Sequence, residues 1–235
     1  MTGKAWHLPS VLIVAFVPLL HPALGVAQVQ ITQLALTGDI APLVGSAGTL
    51  EDFGAPVINA SGRVAFSSFV QGGSNGGAPS GALFLSGGGL PEVSLRFGDT
   101  LPSGDAIRRF NFLNLSDAGD IAFRSPGMVF SREVVFAPAA GPGSPLGVVA
   151  RENVLAPGVS DGALFADFLS TLPISYPLLN ARGQVALTAS LRTGAGPPVS
   201  ASSRLAIFGP TDPSGAIGLV ARTGAPAPGV DGGLC

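Results

Sequence analysis

Two acidic pairs, Glu51-Asp52 and Asp117 with Asp120, and three arginines at matching places, Arg96, Arg151 and Arg222, are the residues of this chain that bear most on chemistry. Two carboxylates suffice to cleave a glycosidic bond, but these pairs fall in expected loops and turns, where solvated carboxylates are the ordinary reading. Ser116, Asp117 and Asp120 offer the oxygen donors that calcium takes, yet no spaced Asp series forms a calcium loop. The matching turns hold Ser61, Arg63 and Arg182 instead, so a shared metal site is not expected. Three guanidinium forks on one rim would suit a carboxylate or phosphate ligand. Recurrence at a boundary favours another role, in which each arginine ties a sheet to a neighbouring connector through Asp99, Glu152 or carbonyls.

What is missing narrows the chemistry further. Residues 1–27 read as a targeting segment: Lys4 gives a positive start, Val11 to Leu20 is almost wholly apolar, and Gly25-Val26-Ala27 places small residues at a cleavage site. The apolar run is too short for the roughly twenty residues that span a bilayer, and no cysteine follows it as a lipid attachment point. Cleavage after Ala27 would remove both histidines (His7, His21), the single lysine (Lys4) and the single tryptophan (Trp6). The mature chain then lacks any Ser-His-Asp or Cys-His arrangement and any His/Cys zinc site. Its eleven dispersed arginines against fourteen acids exclude the dense cationic footprint of a nucleic-acid binder. Cys235 is the sole cysteine, so no intrachain disulfide supports the fold.

The elements that must position these residues are written three times. Asn59-Ala-Ser-Gly62-Arg-Val64-Ala65-Phe66, Ser116-Asp-Ala-Gly119-Asp-Ile121-Ala122-Phe123 and Asn180-Ala-Arg-Gly183-Gln-Val185-Ala186-Leu187 share one pattern, the mark of a module copied in tandem. Asn bonds the backbone two residues on, and Gly accepts the positive φ that closes a hairpin. Behind the third turn, Val185, Leu187, Ala189 and Leu191 alternate with Ala186, Thr188 and Ser190, a strand with two faces. Further strands are expected at Gly81 to Ser86, Leu90 to Arg96, Gly127 to Phe136, Leu146 to Arg151, Arg204 to Phe208 and Ala216 to Arg222. Each unit then holds four short strands. Phe53, Phe66, Phe110 and Phe123 read as core, and the glycine runs at 72–77 and 87–89 as turns, since no phosphate-loop context accompanies them.

Pro/Gly connectors beginning at Gly38, Gly98, Glu152 and Thr223 read as linkers between sheets. The resulting organisation is a signal peptide at 1–27, a lead-in strand at 28–37, repeats at 38–97, 98–151 and 152–222, and the start of a fourth, truncated repeat at 223–235. One stretch is ambiguous. Leu164, Phe165, Phe168, Leu169 and Leu172 have helical spacing behind Ser160 and fit a short helix over Asp161 to Leu172, but the aromatic pair also falls where the other copies place Phe53 and Phe110.

The motif resembles that of the bacterial choice-of-anchor tandem-repeat proteins, which carry Asn-x-x-Gly-x-x-Ala-Phe. The resemblance covers nearly everything from Leu34 onward, with Ser116 in place of the Asn and Leu187 in place of the Phe. It implies an all-β array of four-stranded antiparallel, propeller-like units, an incomplete ring of about three blades and a stub, secreted or displayed at the cell surface. Taken together, the sequence leads to an exported, non-enzymatic protein that needs no cofactor and binds an extracellular ligand or surface component, with further repeats of a longer chain as neighbours. No transmembrane span is expected in the mature chain. The alternative is a carboxylate-dependent hydrolase or lyase acting on extracellular polysaccharide, which requires an acidic pair unique to one copy to converge at a pocket.

Overall fold

The computed structural model describes residues 11–16, 30–41, 48–72, 80–126, 133–138, 143–168 and 177–235. Among them there are sixteen strands and no helix, so the protein is all-β. Expectations on 1–10, 17–29, 42–47, 73–79, 127–132, 139–142 and 169–176, including the end of the ambiguous aromatic stretch, lie outside the described residues.

The chain divides into two compact units, residues 1–58 with 62–96, and residues 59–61 with 97–235. In the first, β1 (Val11–Phe16) pairs antiparallel with β2 (Gln30–Leu36). The apolar run read as a targeting segment therefore contains a strand in the uncleaved chain. A second sheet has the order β3 (Thr49–Phe53), β5 (Val64–Gln71), β6 (Ser80–Ser86), β7 (Glu92–Arg96), with the two-residue β4 (Val57–Ile58) also on β5. Its core joins Leu50, Val64, Phe66, Val70, Ala82 and Phe84 to Ala35 and Ala41. Phe66 stacks on Phe84 at 5.2 Å and meets Phe53 edge-on at 5.7 Å. Glu51 and Asp52, expected in a loop, lie instead on β3. The register of β3 against β5 shifts between Leu50 and Phe53, and this irregularity accommodates the two acids on a strand.

The second unit holds two sheets. One runs β11 (Leu146–Arg151), β10 (Glu133–Pro138), β9 (Ile121–Pro126), β8 (Asn111–Leu115). The other runs β12 (Leu164–Asp167), β14 (Val185–Arg192), β15 (Leu205–Pro210), β16 (Ile217–Arg222), with β13 (Leu178–Leu179) on β14. Within the described part of the expected helix, Leu164–Asp167 is a strand instead: Leu164 and Phe165 pair with Arg192 and Leu191, which satisfies their backbone across the ladder, and Phe165 and Phe168 are buried, as is Phe110 in the preceding copy. Every described sheet is antiparallel, and the three larger ones have four or five strands.

The three larger sheets superpose by register. Phe66 opposes Phe84, Phe123 opposes Phe136, and Leu187 opposes Phe208, so these pairs are equivalent. One step along, Leu83, Val135 and Ile207 are equivalent, as are Leu95, Ala150 and Ala221. The middle sheet (β8–β11) is buried on both faces: Ile121 to Ser125 and Val134 to Pro138 are all buried. Its Val135 and Ala150 pack with Phe165, Leu187, Ala189, Leu191, Ala206 and Phe208 of the last sheet, and Ala122 and Ala137 pack with Val185. Each of these large side chains, removed from water, stabilises the fold by about 1.5–3 kcal/mol.

The connectors are more than linkers. At each bend one residue takes the left-handed conformation, Gly38, Gly98, Asn153 or Gly224, with φ of 93°, 92°, 66° and 75°. Its N–H donates to the carbonyl of Leu50, Ile107, Phe165 or Cys235 at 2.7–2.9 Å. Each connector is therefore a small hairpin, and the first three deliver the chain onto the first strand of a sheet.

Candidate functional site

The motif turns are formed as their composition requires. Gly62, Gly119 and Gly183 have φ of 78°, 93° and 65°, a region costly for any residue with a Cβ. In the third turn the Asn180 carboxamide oxygen accepts the N–H groups of Arg182 (2.9 Å) and Gln184 (3.0 Å). Where Ser116 replaces the Asn, its hydroxyl accepts the Asp120 N–H at 3.0 Å. The Asn59 side chain reaches further, to the next turn: its Nδ2 donates to the Ser116 carbonyl at 2.9 Å, and beside it the Ala60 N–H donates to Asp117 Oδ1 at 2.9 Å. Asp120 Oδ1 accepts the Gly143 N–H at 2.8 Å. Asp117 and Asp120 thus organise backbone. Ala65, Phe66, Ala122, Phe123 and Leu187 are buried, and Ala186 is half-buried.

Two of the arginines at the repeat ends are engaged within their own repeats. Arg151 pairs with Asp105, and Arg222 pairs with Asp161 at 2.6 Å while its Nε donates to the Ser203 carbonyl at 2.6 Å. The acids differ from Asp99 and Glu152, the partners expected from sequence, because the arginine reaches the connector that opens its own sheet rather than the next. Beside Arg151 the Asp105 carboxyl is held below the usual carboxylate range, and beside Arg222 so is that of Asp161. Arg96, equivalent to both through its pairing with Ala82, is likewise not free.

One charged cluster departs from the repeat pattern. Arg124 on β9 is only 1% exposed, on the face of the middle sheet that packs against the last sheet. Its guanidinium pairs with Glu133 at the start of β10, donates from Nη1 to the Phe168 carbonyl at 2.9 Å, and lies 4.5 Å from the centre of the Phe112 ring. Phe112 itself is left-handed (φ 54°) within the register shift of β8. Glu133, Glu152 and Asp167 bring carboxylate oxygens within 4.8 Å of one another. Burial first, and then the charges of Glu133 and Asp167, push the Glu152 carboxyl above the usual carboxylate range, against the pull of a Glu133 backbone hydrogen bond and of Arg124. Three carboxylates so close match the donor set of a cation site, but here the positive charge comes from Arg124, whose buried Nε has no hydrogen-bond partner among the described residues.

Sequence reasoning missed this cluster, although a signal was present. Aligned by register, Arg124 stands where the other sheets have Ser67 and Thr188, and Glu133 stands where they have Gly81 and Leu205. Glu152, next after Arg151, stands where Phe97 and Thr223 follow Arg96 and Arg222. Three charges confined to one copy, at positions uncharged in the others, mark a group that acts together.

Cavities lined by described residues include three of note. One of about 490 Å³ is bounded by Arg63, Gly87, Gly89, Leu90 and Glu92, one of about 190 Å³ by Val149, Gln184, Val185 and Ile217, and one of about 230 Å³ by Leu205, Ile207 and Cys235. None of the three touches the carboxylate cluster.

Comparison with known proteins agrees with the internal repetition. A family model described as a family of unknown function (DUF7453) matches residues 25–199 and again 141–234. The chain belongs to this family. Residues 141–199 fall in both matches, so one stretch fits the family model twice, as a tandem repeat does. No curated protein and no solved structure matches the chain.

Proposed function

We propose that this member of the family is an exported, non-enzymatic β-repeat protein of a bacterium, serving extracellular binding or surface display in the manner of the choice-of-anchor repeat proteins its motif resembles. The observation that carries this reading is the internal engagement of its charged groups. Arg151 and Arg222 are held by Asp105 and Asp161, Asp117 and Asp120 accept backbone N–H groups, and the one converging carboxylate trio among the described residues includes Glu133, which pairs with the buried Arg124. A hydrolytic carboxylate pair instead flanks an accessible cleft with room for a sugar ring and a water. The N-terminal apolar run supports export, and binding falls to exposed surface, with no residue singled out for it.

The test is expression of the full chain in a bacterial host, followed by fractionation and mass spectrometry of the N-terminus. Protein beginning at Gln28 outside the cytoplasmic membrane is the expected result, and intact chain retained in the cytoplasm refutes export. In parallel, incubation with a panel of polysaccharides should release no reducing ends. Release that Glu152→Gln abolishes would establish the hydrolase or lyase reading instead.

A further inference from the structure

The last sheet presents a second face that, unlike its counterparts, is uncovered. Leu83 and Val135 are 0% and 1% exposed, whereas their equivalent Ile207 is 49% exposed. Along β14 the residues on one face are buried and those on the other, Ala186, Thr188 and Ser190, are only half-buried. On the middle sheet the matching face, with Ala122, Arg124, Val135, Ala137 and Ala150, is sealed by the last sheet. On the last sheet this face frames the cavity of about 230 Å³ lined by Thr188, Leu205, Ile207, Ala221, Thr223 and Cys235.

We infer that this face is a docking surface for a further four-stranded sheet of the same repeat type, seated on Ile207 and Ala221 as the last sheet is seated on Val135 and Ala150. Two observations fix the occupant. The contact continues an interface the molecule already uses between its middle and last sheets. The backbone at Gly224 to Cys235 also repeats the path at Asn153 to Phe165: the Gly224 N–H donates to the Cys235 carbonyl, the Cys235 N–H to the Ala225 carbonyl, and Pro226 bridges Leu234 as Leu155 bridges Leu164. Cys235 therefore stands where Phe165, 2% exposed, begins the sheet that covers the middle one.

The face also sets its partner's chemistry. Thr188, Leu205 and Thr223 replace Arg124, Glu133 and Glu152, so no buried arginine waits for an acid. A partner sheet must bring an uncharged residue where the last sheet brings Asp167, since a buried carboxylate without a partner is strongly unfavourable.

The experiment extends the protein after Cys235 with a second copy of residues 166–234, in which the copied Asp167 is changed (Asp167→Ala), and follows alkylation of Cys235, the single cysteine after residue 27. Docking predicts added strand signal in far-UV circular dichroism and thiol labelling at least tenfold slower than in the 235-residue chain. Ile207→Asp, or Ala221→Glu as a second variant, should restore fast labelling. Retaining Asp167 in the copy should weaken the protection. Unchanged labelling overturns the inference. So does an extension that adds no strand signal, because the same sheet forms on the matching face of the middle sheet. If the 235-residue chain itself dimerises, and Ile207→Asp abolishes the dimer, a second copy is the occupant and the inference falls.

Discussion

Replacing Arg124 with alanine tests the view that the charged cluster is a closed structural unit. The substitution leaves Glu133, Glu152 and Asp167 within 4.8 Å of one another without their counter-charge, and it removes the donor to the Phe168 carbonyl. Breaking a buried ion pair from one side costs about 3–5 kcal/mol. An acceptor left unsatisfied costs about 1–3 kcal/mol by itself, but the two losses share one side chain and do not add. The expected destabilisation is therefore about 3–5 kcal/mol, read as a lower midpoint in urea unfolding at pH 7 by far-UV circular dichroism. The repeat supplies its own control. Arg124→Thr, Glu133→Leu and Glu152→Thr install the residues of the last sheet, and Asp167→Ala removes the remaining acid. This uncharged version should recover most of the loss, because replacing a whole buried ionic group by matched residues is often neutral or stabilising. A cost below about 1 kcal/mol for Arg124→Ala would refute the reasoning, showing the carboxylates to be solvated. So would a fourfold variant no more stable than the single one.

Other consequences are equally direct. Glu152 has its carboxyl raised in the folded state, so it favours folding when protonated and loses that contribution as pH rises through its folded value. Stability should therefore increase as pH falls from 7 toward about 4.5, the unfolded value, and Glu152→Gln should flatten that rise in thermal melts. Asp105 and Asp161 are lowered and act with the opposite sign: their contribution is present above their unfolded value of 3.8 and is lost as pH falls through the folded one, so acid unfolding should set in below about pH 4. Arg151→Ala and Arg222→Ala should each cost about 1 kcal/mol at neutral pH, the scale of partly exposed pairs, and blunt the acid transition. Gly183→Ala, at φ 65°, should cost about 1–2 kcal/mol in denaturant unfolding without altering the strand content.

Much of the fold was legible because the repeat wrote it three times. The turn at Asn180 to Gly183, the alternation along Val185 to Leu191 and the limits of β11 follow from local residue types, and local chemistry decides them. Leu164 to Phe168 misled because aromatic residues three apart fit a helix as well as a bulged strand, and pairing with β14 settles the matter from a distance. The acids showed the same limit. Glu51-Asp52 looked loop-like by composition yet sits on a strand, since the register shift that holds it there is a property of two chains side by side. The Arg124 cluster draws on β9, β10, β12 and the connector after β11, and no single window of sequence contains it. Only position-by-position comparison of the copies exposes it.

The arginine at the end of one repeat grips the acid at that repeat's own start, Arg151 to Asp105 and Arg222 to Asp161. Both halves of this clasp travel together whenever a stretch of the gene is duplicated or deleted between connectors. A newborn copy arrives already able to fasten itself, and what it must still match is the face of its neighbour, as Phe168 meets Arg124. Lengthening or shortening such a protein is then a matter of recombination rather than redesign, while the surface it shows to its surroundings stays free to diverge.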